Sequence, residues 1–175
     1  MKTETEREFY IALDKIEALV KQAEAHISEG ADPMPLLKEA VETAGKGLVQ
    51  GFHDFFPGTT FQIIIMLTPA SAEADAIELF EKVLETVQKI ECSICRDEEL
   101  GLILEEMAYV GLKSGSLQIS EKALEETRIL LKDGEQKDRR VRCLEAIVGE
   151  FQKPDFAKKP IQQPAKVQKI KKIGR

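Results

Sequence analysis

The chain has 175 residues, 43% hydrophobic and 32% charged, with a formal net charge of −6. That length suits one domain, or one domain with a tail, burying about two-thirds of its unfolded surface, and the apolar content excludes disorder throughout. No apolar run approaches the roughly 18 residues of a membrane span, and an acidic chain repels nucleic-acid phosphates.

In chain order, Phe9, Leu13, Ile16, Val20, Ala23 and Ile27 recur every three or four residues, predicting one long helix over 5–29 that Gly30 stops. Asp32-Pro33-Met34-Pro35 begins a second helix carrying Leu36, Leu37, Ala40, Val41 and Ala44. Phe61-Gln-Ile-Ile-Ile-Met-Leu67 follows Pro57-Gly58 and is rich in β-branched residues, as a strand would be. No second segment offers a partner ladder, so a buried helix capped by Thr59 or Thr60 is the favoured reading. Thr68-Pro69 has the form of an N-cap followed by proline at the first helical position. The stripe behind it is Ile77, Phe80, Leu84 and Val87, with Leu79, Val83 and Ile90 beside it. A helix over about 97–113 (Leu100, Ile103, Leu104, Met107, Val110) ends at Gly115. Ser116 caps the next, which carries Ile119, Ala123, Leu124, Thr127 and Leu131 as far as Gly134. The last covers about 136–151, with Val141, Leu144, Val148 and Phe151.

The charge is uneven. Residues 152–175 hold eight Lys and Arg against one acid, a net of +7, which leaves −13 on residues 1–151. Pro154, Pro160 and Pro164 interrupt helix in that basic stretch. Two regions follow: a helical domain over 1–151 and a flexible Pro/Lys-rich basic tail over 152–175, disordered on its own. In the tail Val167, Ile170 and Ile173 recur every third residue among Lys166, Lys169, Lys171 and Lys172. About ten such residues hold no helix alone in water, and suit folding on a protein target or docking on the acidic body.

The helices repeat. Glu81-Lys-Val-Leu-Glu-Thr matches Glu121-Lys-Ala-Leu-Glu-Glu at an offset of 40, which also sets Leu104-Glu105 over Leu144-Glu145. An offset of 43 matches Val41-Glu42-Thr43 to Leu84-Glu85-Thr86. Only six of thirty positions agree between 81–110 and 121–150, so the repeat rests on apolar register more than on shared letters. Helix pairs recurring at a fixed distance predict an all-α fold of stacked antiparallel hairpins, a short right-handed α-solenoid. With Ala123-Leu124-Glu125 in one helix and Tyr109…Gly111 ending another, residues 34–151 resemble the tetratricopeptide and HEAT classes of helical-repeat protein, more closely the former. The repeat is longer than the roughly 34 residues of the tetratricopeptide class. The resemblance implies a concave surface that binds peptides or protein segments, with no chemistry of its own.

Residues that suit chemistry are few. Cys92-Ser-Ile-Cys95 has the spacing of a metal chelate or a redox pair, but a structural zinc needs four ligands. Only Cys143, His26 and His53 remain to supply them, and Cys143 falls at a core register position. Phe52, Phe55, Phe56 and Phe61 place half the phenylalanines within ten residues, suiting either an aromatic groove or a plug between hairpins, with the plug favoured. His53-Asp54 has no nucleophile motif beside it. The pairs Glu98-Glu99, Glu105-Glu106 and Glu125-Glu126 lack the histidines of a di-metal bundle and read as solvated helix faces. No glycine-rich nucleotide loop occurs. The N-terminus lacks the apolar core of a secretory signal, and three cysteines suit no disulfide scaffold, predicting a cytoplasmic protein.

The sequence therefore predicts a non-enzymatic adaptor without a cofactor. It binds a protein or peptide, and the N-terminal helix is a candidate dimer surface. The partner-facing residues are Phe52, Phe55 and Phe56 with Lys166, Lys169, Ile170, Lys171 and Lys172. Two alternatives stand beside it: a metal- or redox-responsive protein using Cys92 and Cys95, and a nucleic-acid accessory protein acting through the tail.

Overall fold

The computed structural model describes residues 4–47, 58–69, 73–90, 93–153 and 156. Among them the fold is all-α, with seven helices and no strand: α1 (Glu4–Glu29), α2 (Met34–Gly47), α3 (Gly58–Leu67), α4 (Glu73–Gln88), α5 (Ser93–Ser114), α6 (Leu117–Leu130) and α7 (Glu135–Glu150). The β-branched run 61–67 lies within α3, where Phe61, Ile64 and Ile65 are fully buried. A strand there would leave its ladder unpaired; a helix satisfies its own backbone.

Local chemistry sets the boundaries. Gly30, at φ +74°, ends α1 while its N–H donates to the Ile27 carbonyl at 3.2 Å. Ala31 N–H donates to the His26 carbonyl at 2.8 Å, and Asp32 Oδ1 accepts from Met34 N–H at 3.0 Å to start α2. Gly115, at φ +78°, turns the chain between α5 and α6. Ser116 then caps α6 by accepting from the Ile119 N–H at 3.2 Å.

Four expected boundaries move. Helix α3 begins at Gly58, so Thr59 and Thr60 lie inside it rather than capping it. Thr68 does not cap α4: its buried hydroxyl donates back to the Ile64 carbonyl at 2.8 Å, closing α3, and α4 starts at Glu73 with Glu73 and Asp75 in its first turn. Those acids suit the positive end of the helix. Helix α5 begins at Ser93, about one turn earlier than the apolar pattern indicates. There the Arg96 guanidinium donates to the Ile90 carbonyl at 3.2 Å and ties the new helix to the end of the previous one. Helix α6 stops at Leu130 rather than near Gly134, because Leu131 takes extended backbone and buries its side chain.

Packing joins neighbours and next-but-one neighbours. Helix α1 packs on α2 and α3, α2 on α3 and α4, α3 on α5, α4 on α5, α5 on α6 and α7, and α6 on α7. The odd-numbered helices thus form one row. In the even row Lys38 reaches Glu78 at 3.2 Å between α2 and α4, and Lys122 reaches Glu81 at 3.3 Å between α6 and α4. One continuous apolar cluster runs from Phe9 to Ile147.

Burial follows the sequence offsets. Leu37, Ala40, Val41 and Ala44 of α2 stand 43 residues before Phe80, Val83, Leu84 and Val87 of α4, and all eight are buried. The same offset carries Phe61, Ile64 and Ile65 of α3 onto buried Leu104, Met107 and Ala108 of α5. An offset of 40 carries Leu79, Val83, Leu84 and Val87 of α4 onto buried Ile119, Ala123, Leu124 and Thr127 of α6. It also carries Leu104 and Met107 onto Leu144 and Ile147 of α7. Identical letters are scarce, yet the inward positions coincide.

Helices α5 and α6 meet closely. A Cβ on Gly111 would collide with Ser120 Oγ and stand 2.8 Å from the Ser116 carbonyl oxygen. The buried Ser120 hydroxyl donates to the Ala108 carbonyl at 3.0 Å across the same contact. Gly111→Ala therefore destabilises the protein by about 1–3 kcal/mol through overpacking, despite a helix-propensity gain of about 1 kcal/mol. Gly149 in α7 has nothing within 4 Å of its missing Cβ. Gly149→Ala then stabilises by up to about 1 kcal/mol. Urea unfolding of the two variants reads the opposite signs.

Candidate functional site

Two of the three cysteines lie among the described residues. Cys95 lies in the first turn of α5, half-buried against the core, and Cys143 is half-buried in α7. Among the described residues no group of three His, Cys, Asp or Glu side chains is placed to hold a metal ion. His26 is occupied locally: its Nδ1 stands 3.1 Å from the Asp32 carbonyl, in hydrogen-bond contact across the α1–α2 turn. Of the phenylalanine cluster, Phe61 is fully buried in α3, as a plug would be. Cys92, Phe52, His53, Asp54, Phe55, Phe56, Lys166, Lys169, Ile170, Lys171 and Lys172 lie outside the described residues.

Where α6 turns into α7, a hollow of about 290 Å³ is lined by Asp97, Lys132, Asp133, Lys137 and Arg140. Every cation there already has a carboxylate. Lys132 reaches Asp97 at 3.4 Å, Lys137 reaches Asp133 at 2.9 Å, and Arg140 reaches Glu105 at 2.8 Å while lying over Gly101. The pairing with Lys137 holds the Asp133 carboxyl below its ordinary range. This is a laced corner rather than an open anion site. Gly101 matters for it, because a Cβ there would stand 2.9 Å from Arg140 Cδ and displace the guanidinium.

The surface of the even row is similarly laced. Glu78 of α4 takes Lys82 at 2.8 Å and Lys38 at 3.2 Å, and these two lysines hold its carboxyl below the ordinary range. Lys122 joins Glu126 at 2.8 Å and Glu81 at 3.3 Å, which raise its ammonium above the usual value against a desolvation cost. Lys15 of α1 joins Glu39 of α2 at 2.8 Å.

Exposed apolar side chains occur on both rows, with Ile129 of α6 64% exposed in the even row. Ile11 on α1 is 60% exposed, Met66 on α3 48% and Tyr109 on α5 41%. Met66 and Tyr109 are 43 residues apart, so they occupy the same repeat position. On the outward side of α5, Glu99 and Glu106 are half-buried rather than freely solvated. Burial raises both carboxyls above the ordinary range, reinforced at Glu99 by Glu98 and opposed at Glu106 by Lys113. One oxygen of Glu99 is inaccessible to water and has no hydrogen-bond partner. Sequence reasoning took these acids for solvated faces. Their spacing of seven residues, flanking Leu102 and Ile103, is the signal that sets them at the edge of the buried stripe.

No family model, curated protein or solved structure matches this chain.

The charge lacing gives a pH dependence with a definite sign. The carboxyl of Glu78 titrates lower in the fold than in the unfolded chain, so its contribution is present above the unfolded value and disappears as pH falls through the folded one. Glu78→Gln lowers the melting temperature slightly at pH 7 and leaves it unchanged near pH 2. Parallel thermal melts at the two pH values measure the difference.

Proposed function

We propose that the chain is a protein-binding adaptor, built as a short α-solenoid of stacked helical hairpins and performing no catalysis. The observation that carries this reading is the shared burial register at offsets of 43 and 40, together with packing between next-but-one helices. A stack of hairpins buries each inward stripe against the pair before and the pair after, and leaves long surfaces uncovered. The tetratricopeptide-like reading of residues 34–151 belongs to the same proposal.

The working face is assigned to the odd row at its N-terminal end, where Ile11 and Met66 present apolar surface. In the sequence Phe52, Phe55 and Phe56 stand shortly before α3. Large apolar side chains supply much of the binding energy at protein interfaces, whereas rim ion pairs contribute little. The even row carries more of the ion pairs and is read as the non-binding side, its exposed Ile129 serving as the control.

The test is quantitative capture from a cell extract with full-length protein, the double variant Ile11→Glu/Met66→Glu, and Ile129→Glu on α6 as the control. The expected result is a defined set of proteins recovered by the full-length chain and by Ile129→Glu, and reduced at least about tenfold by the double variant, the effect of losing roughly 1.4 kcal/mol. Equal recovery by all three proteins would refute the assignment of this face.

A further inference from the structure

The outward face of α5 has the chemistry of a docking strip for a basic, half-apolar segment, and such a segment exists in the same chain. Along this face stand Glu98, Glu99, Leu102, Glu106 and Tyr109. Glu105, the remaining acid, is engaged by Arg140. Glu98, Glu99 and Glu106 form no ion pair among the described residues, although burial already costs two of them part of their hydration. A carboxylate oxygen shielded from water and without a donor, as at Glu99, is the arrangement that a neighbouring ammonium relieves.

We propose that residues 166–173 of the same molecule occupy this strip, with Lys166, Lys169, Lys171 and Lys172 against Glu98, Glu99 and Glu106 and with Val167, Ile170 and Ile173 against Leu102 and Tyr109. Three arguments select this occupant. The first is charge: the stretch 152–175 carries +7 and the remainder of the chain −13. Opposite charges held on one chain meet at a high effective concentration. The second is length. Glu99 and Glu106 are two helical turns apart, about 10 Å along α5, and the segment 166–173 is about equally long when coiled into a helix. The third is reach. Helix α7 packs beside α5, and Phe156 still rests on Phe151 with ring centroids 4.5 Å apart, just after α7 ends. The nine residues from 157 to 165 span up to about 30 Å, against about 8–10 Å between the helix axes and about 16 Å along α5 from Tyr109 to Glu98. This contact is separate from the adaptor reading, whose face lies on α1 and α3, and it stands if that reading fails.

Zero-length carbodiimide coupling of the full-length chain, mixed equally with its ¹⁵N-labelled form, tests the contact, since only a carboxylate touching an amine is joined. At about 0.01 M salt the expected products join Glu98, Glu99 or Glu106 to the tail lysines within single-label molecules. Their yield falls about tenfold or more near 1 M salt, where the screening length shrinks to about 3 Å. It falls equally in Glu98→Gln/Glu99→Gln/Glu106→Gln, which removes exposed or half-exposed acids and keeps the wild-type circular dichroism. Mixed-label products would overturn the proposal by making a second copy the occupant. Coupling of the tail lysines to other acids of the body, or no coupling at all, would overturn it as well.

Discussion

The architecture depends on how α5 buries its apolar stripe. Leu100, Ile103, Leu104, Met107, Ala108 and Val110 are all turned inward, and α3, α4, α6 and α7 each pack against this helix. Four neighbours cannot all approach one helix if it carries large side chains throughout. The small residues Ala108 and Gly111 admit α6, and Ser120 uses that space to hydrogen-bond the α5 backbone. On the other side Gly101 gives room to Arg140, so the link from α7 crosses α5 at a missing side chain. Leu or Ile at 101 or 111 would satisfy the hydrophobic pattern and still push the neighbours apart.

Polar chemistry then divides the molecule into unlike surfaces. The even row spends its charges on itself, through Lys38 with Glu78 and Lys122 with Glu81. Exposed pairs of this kind add little stability. The odd row leaves Ile11, Met66 and Tyr109 accessible and three acids on α5 without an ion pair among the described residues.

Much of this was legible in the sequence. Gly30, Gly115 and Ser116 mark their boundaries because each does a job that few other residues do: two take positive φ, and one caps a helix by accepting from an amide. Apolar periodicity located every helix but α3, which was favoured over a strand for want of a partner ladder, and the offsets of 40 and 43 located buried positions even where the letters differ. Thr68-Pro69 misled, because a threonine hydroxyl caps the next helix or bonds back to the previous one with equal local ease, and burial at the end of α3 decided for the latter. The early end of α6 was equally invisible: Leu131 satisfies the helical pattern and is buried, but on extended backbone. At the candidate surfaces, the seven-residue spacing of Glu99 and Glu106 sets them at the edge of the buried stripe but does not set how deeply they are buried. Their half-burial comes from where α5 sits among its neighbours, which no local pattern of charged residues encodes.

Native-state hydrogen exchange measures the central claim most directly, because a row of helix pairs held through α5 must open in parts. Amides of α5 between Ile103 and Ala108 should exchange only through global unfolding. Those of α7, which buries just Leu144 and Ile147, should exchange through a smaller opening at lower free energy. Equal opening free energies in α7 and α5 across a denaturant series would contradict the account, since every helix would then belong to one indivisible core.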